Sequence, residues 1–113
     1  MAVFNNRQTI AAGATVANVL QGSIYQYLPN DALVEIGLLA SAQGLLASVS
    51  SGSDILMEEG FVNVVRVANQ GPIYPEDFQL QDGALAGELV TIRVRNPTGG
   101  PIDLFTTVRF SFA

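Results

Sequence analysis

Polar and apolar residues alternate with period two along much of the chain, the signature of strands with one buried face. In residues 89–95, Val90, Ile92 and Val94 fall on one side and Thr91, Arg93 and Arg95 on the other. Residues 104–112 place Leu104, Thr106, Val108, Phe110 and Phe112 on one face, with Phe105, Thr107, Arg109 and Ser111 opposite. Val34, Ile36, Leu38 and Ala40 alternate with Leu33, Glu35, Gly37 and Leu39, and Ile24, Gln26 and Leu28 with Tyr25 and Tyr27. Residues 62–67 form a β-branched run broken only by Asn63 and Arg66. Weaker strands are expected at 14–20, 45–50, 55–57 and 78–80. Leu38, Leu39, Ala42, Leu45 and Leu46 could line a helix, but Gly37, Gly44 and the serines around them favour strands.

Turn chemistry separates these runs: Gln21-Gly22, Pro29-Asn30-Asp31, Gln43-Gly44, Ser51-Gly52-Ser53-Asp54, Asn69-Gln70-Gly71-Pro72, Asp82-Gly83 and residues 96–101. One helical turn is expected near Pro75-Glu76-Asp77-Phe78. The pattern predicts an all-β chain, an antiparallel β-sandwich forming a single jelly roll of about eight strands. Residues 15–113 make the sandwich domain; residues 1–14 are an N-terminal arm or a first edge strand. If the last two strands formed a hairpin turning at Gly99, Val90 would face Val108, Ile92 Thr106, Thr91 Thr107 and Arg95 Asp103. A jelly roll instead places those strands in opposite sheets. The long loop holding Pro97 and Pro101 favours the crossing.

Composition narrows the chemistry. The chain has no Cys, His, Trp or Lys; its five cations are Arg7, Arg66, Arg93, Arg95 and Arg109, against ten acids. Without thiol, imidazole or amine, neither a Ser-His nor a Ser-Lys nucleophile can be built, so an enzyme is not expected. The net charge of −5 repels phosphate backbones and anionic bilayers, so neither a nucleic-acid nor a membrane partner is expected. No apolar run reaches the length of a membrane span, and residues 1–14 do not read as a secretory leader. The charged fraction, 13%, is about half the usual value. So little charge favours burial of some surface against partners or further copies.

Candidate sites are few. Glu58-Glu59 and Glu76-Asp77 are adjacent acids, which a strand sends to opposite faces. Asp54 with Glu58 and Glu59, or Asp77 with Asp82, lacks the regular spacing of a calcium loop, and no metal or other cofactor is expected. Arg93, Arg95 and Arg109 project from the polar faces of the last strands and could grip carboxylates of a partner or keep those faces soluble. Phe4, Arg7 and Ile10 punctuate the arm, which could add a strand to a neighbour's sheet or begin the chain's own.

The run Leu89-Val90-Thr91-Ile92-Arg93-Val94-Arg95-Asn96, the Gly99-Gly100 turn, the closing apolar strand to Phe112 and the introducing Leu80-Gln81-Asp82-Gly83-Ala84-Leu85-Ala86-Gly87-Glu88 carry a resemblance. Over residues 31–113 the chain resembles the single jelly-roll virion proteins of tailed bacteriophages, capsid decoration or cement proteins among them. The resemblance implies a structural protein on the outer surface of the virion, made in the host cytoplasm, a homotrimer bound to the major capsid protein and stabilising the shell. It transfers no functional residue. Alternatives are a receptor- or carbohydrate-binding module of a phage fibre or spike, or a small major coat protein. The absence of Trp weighs against sugar binding and the scarcity of cations against an RNA-packaging coat.

Overall fold

The computed structural model describes residues 2–23, 27–52, 54–65, 71–72, 77–78 and 80–112. Among them run nine strands and no helix: β1 (Ala2–Ile10), β2 (Thr15–Val16), β3 (Ala32–Ala40), β4 (Leu46–Ser51), β5 (Asp54–Phe61), β6 (Asn63–Val64), β7 (Leu80–Ala84), β8 (Val90–Arg95) and β9 (Ile102–Phe112). They form a β-sandwich. The first sheet has the order β1-β9-β3, with β3's far edge shared by antiparallel β7 and parallel β6. The second has the order β2-β8-β4-β5. Leaving aside the two-residue β6, this is the strand order expected of a jelly roll.

The alternating residues drive the two sheets together. Val34 and Ile36 of β3, Ala47 and Val49 of β4, Val90, Ile92 and Val94 of β8, and Leu104, Val108 and Phe110 of β9 are all buried, in one cluster. Each large side chain so buried contributes about 1.5–3 kcal/mol of transfer free energy. Polar partners on the same strands face solvent, which fixes register, since a one-residue slip would reverse every face.

Several expectations change. β8 and β9 lie in different sheets, so residues 96–101 cross between sheets and the hairpin pairing does not occur. Arg95 opposes Leu46 and Thr15 instead of Asp103, and Val90 opposes Ser51 instead of Val108. Asp82-Gly83 lies inside β7, where Gly83 opposes Leu33. The turn comes later, at residues 85–88, where Gly87 has φ 83° and Glu88 N–H donates to the Leu85 carbonyl at 3.1 Å. The strand expected at 14–20 shrinks to β2. The side chain of Asn18 then does the strand's work: its Nδ2 donates to Val90 O and its Oδ1 accepts from Ile92 N–H, each at 3.1 Å. Residues 24–26, 66–67 and 75–76, part of two expected strands and of the helical turn, lie outside the described residues.

The outer face of the first sheet is not bare. Pro72 and Phe78 lie against Gly37, where a Cβ would come within 2.8 Å of the Pro72 side chain. Only glycine lets the backbone of β3 and this covering segment approach so closely.

Two buried hydroxyls, of Ser51 and Thr106, have no hydrogen-bond partner among the described residues. Thr106 points inward from β9, is 1% exposed, and its hydroxyl has no hydrogen-bond partner among the described residues. Thr106→Val keeps the shape and removes the unsatisfied group. It is expected to raise the unfolding free energy by about 1 kcal/mol, read as a higher urea midpoint at unchanged slope.

Candidate interaction surfaces

The outer face of the second sheet is built by the polar side of the alternation. β8 contributes Thr91, Arg93 and Arg95, and β4 contributes Ser48 and Ser50. β5, on its rim, departs from regular pairing. Register shifts lie between Ala47 and Val49 and between Val49 and Ser50, each giving β5 an extra residue. Glu59 sits at one of them with φ 47°, its N–H donating to Ser48 Oγ at 3.2 Å. The two insertions restore parity, so Ile55, opposite Ser50, and Phe61, opposite Leu46, face outward on the same side. They are 70% and 76% exposed, the highest values among the exposed large apolar residues described. A shallow depression lies beside Ile55, bordered by Ser48, Thr91, Arg93 and Glu58.

The six residues singled out in the sequence do not converge. Arg93 and Arg95 share this face. Arg95 bonds Glu59 at 3.4 Å, whereas Arg93 is exposed and has no ion-pair partner among the described residues. Arg109 faces outward from the first sheet, on the opposite side of the sandwich, between Val3 and Glu35 in register. Phe4 and Ile10 turn inward from β1: Phe4 packs against the core and Ile10, 1% exposed, belongs to it. Arg7 turns outward, its guanidinium 5.5 Å from the Phe105 ring centre and 3.3 Å from Asp103. Ile55 and Phe61 were not singled out, because irregular pairing on β5 hides which side they face.

Acidic groups gather at the far end of the sandwich. Asp31 accepts from Ala86 N–H at 2.8 Å and Glu88 from Leu85 N–H at 2.7 Å, both shaping the 85–88 turn. Asp54 meets Asp82 there rather than Glu58 or Glu59. The Asp82 charge, and a hydrogen bond with it, push the Asp54 carboxyl above its ordinary pKa. Asp103 is the reverse case: bonds from Thr9 and Arg7 hold its carboxyl below the ordinary range. Among the described residues no three acids come together as cation ligands.

These opposite shifts give opposite pH dependences. The folded state binds a proton at Asp54 more tightly than the unfolded chain does. That contribution is full below the ordinary carboxylate range and is lost as pH rises through the raised value. Asp54→Asn is therefore expected to stabilise the fold at pH 7 and to lose that advantage in acid. Asp103 contributes above the ordinary range, and its contribution disappears as pH falls through the lowered value. Asp103→Asn should destabilise at pH 7 and have little effect in strong acid. Melting temperatures of both variants from pH 2.5 to 7, set against the parent, check the two signs.

Comparison of the chain with protein-family models, with curated proteins and with solved structures gives no match.

Proposed function

We propose that this chain is a structural binding protein of a virion, a decoration or cement protein that docks on the outer surface of a capsid and stabilises the shell. The observation that carries the reading is the exposure of Ile55 and Phe61 along β5: Ile55 lies beside Ser48, Thr91 and an Arg93 with no ion-pair partner among the described residues, and Phe61 stands opposite Leu46 at the other end of the strand. Two apolar anchors about a polar strip make a surface that gains by excluding water against a partner. Arg93 supplies a donor fork for a partner carboxylate. A rigid sandwich suits the task, because little conformational freedom is lost on docking. A protein that binds the assembled shell better than free subunits shifts the assembly equilibrium towards the shell. The resemblance noted in the sequence and the lack of nucleophile–base chemistry support the same reading.

The test is partition in a density gradient. The protein is expected to travel with assembled shells and to stay at the top when mixed with unassembled coat subunits. Equal binding to both, or to neither, would contradict cementing.

One observation favours a second reading, a carbohydrate-binding module. Phe61 lines an open cleft of about 580 Å³ together with Gln43 and Asn63. An aromatic ring beside amide side chains is a combination that sugars use. Glycan-array binding that Phe61→Ala abolishes would select this reading over the first.

A further inference from the structure

We infer that the free edge of β1 pairs with β1 of a second copy, antiparallel about a two-fold axis, joining two first sheets into one continuous sheet. The inference concerns self-association alone and stands whatever the protein docks on.

β1 is a long and regular edge. Its nine residues pair with β9 without a register shift, and it contains no Pro, Gly or Lys. In an antiparallel pair every second residue turns its N–H and C=O away from the partner strand. Among the described residues no strand meets the far side of β1. The one hydrogen bond that a described group from outside the sheet makes to its backbone is at the end, from Asn96 Nδ2 to Ile10 O. An edge left in this state is a template for another strand.

The molecule's other edges are closed or short. β2 is two residues long, and beyond it the Asn18 amide and Val19 N–H occupy Val90, Ile92 and the β8 edge. β5 is kinked by two insertions. Among the described residues, the far side of β3 carries only β6, two residues long, and β7, five residues long with Asp82 and Gly83 inside it. A strand matching β1 in length and regularity is therefore β1 of another copy. Self-pairing of one strand is isologous and closes as a dimer. This differs from the trimer that the virion-protein resemblance implies.

The side chains allow it. With the two-fold at Asn6, Asn5 of one copy faces Arg7 of the other, Phe4 faces Gln8 and Val3 faces Thr9. No like charges oppose one another. A register centred on Arg7 would set two guanidinium groups face to face and is disfavoured. Asn5 accepts a hydrogen bond from Thr107 Oγ1 at 2.7 Å, which Asn5→Asp preserves while adding a charge that Arg7 of the other copy can meet.

Light scattering combined with residue-resolved hydrogen exchange tests the pairing. The expected mass is twice the 11.9 kDa of the chain, with both alternating sets of β1 amides protected. Asn5→Asp should tighten the dimer and Asn5→Lys weaken it about tenfold, since each change acts twice across the axis. A monomer at high concentration would overturn the inference. So would any oligomer in which alternate β1 amides exchange freely, or a dimer indifferent to the sign of charge at position 5.

Discussion

Asn96→Ala is expected to lower the unfolding free energy by about 3 kcal/mol, a large part of what a domain of this size commonly has. Asn96 is fully buried at the point where the chain leaves β8 and crosses to β9. Its Nδ2 donates to Ile10 O and Gly100 O, both at 2.9 Å. Its Oδ1 accepts from the Thr98 N–H at 3.0 Å and the Thr98 hydroxyl at 2.6 Å. Its backbone N–H donates to Ala14 O at 2.9 Å and its C=O accepts from Gly13 N–H at 2.8 Å. One side chain thus holds the crossing loop in shape and ties it to the end of β1. Alanine would leave the Ile10 carbonyl and the Thr98 amide without these partners in a site that excludes most water, and each such group costs about 1–3 kcal/mol, while Gly100 O would keep its bond from the Thr98 hydroxyl at 3.0 Å. Partial access of water near Thr98 keeps the sum at the lower end. Asn96→Asp should cost at least as much at neutral pH, because it turns a donor into an acceptor against two carbonyl oxygens. Urea unfolding followed by far-ultraviolet circular dichroism measures both.

The second large effect is on docking. Ile55→Ser together with Phe61→Ser is expected to weaken binding to an assembled shell by about 100-fold, since each truncated anchor at a buried contact costs roughly 1.4 kcal/mol. Stability should change little, because both side chains are mostly exposed and surface changes usually fall within about 0.5 kcal/mol. Leu85→Ser is the matched control. Leu85 is 63% exposed and lies on the 85–88 turn, outside the strands of the second sheet. It should alter affinity less than threefold. Equilibrium binding of labelled protein to purified shells, with thermal melts of each variant, separates loss of docking from loss of fold.

The central strands were legible in the sequence because each is buried on one face along its length. β3, β8 and β9 sit inside their sheets, and the alternation of Val90, Ile92 and Val94 or of Leu104, Val108 and Phe110 follows from that placement. The edges were harder to read. Asn18 supplies by its side chain what a longer β2 would supply by its backbone, and composition does not distinguish that amide from a turn residue. β5 hides its faces behind two insertions, so Ile55 and Phe61 look like ordinary strand residues. Asp82-Gly83 has the chemistry of a turn, yet the pairing of β7 with β3 carries it as strand. The arginines show a further limit. Parity tells which side of its own strand a residue takes, but not which sheet that strand joins. Arg93 and Arg109 therefore read alike in sequence and lie on opposite sides of the sandwich.

Hydroxyl-radical footprinting of the protein, free and bound to shells, tests most directly whether the outer face of the second sheet is the docking surface. Ile55 and Phe61 should lose most of their labelling on binding while Tyr27 and Leu85, at the acidic end, keep theirs. Protection of Tyr27 and Leu85 with Ile55 and Phe61 still labelled would contradict the account.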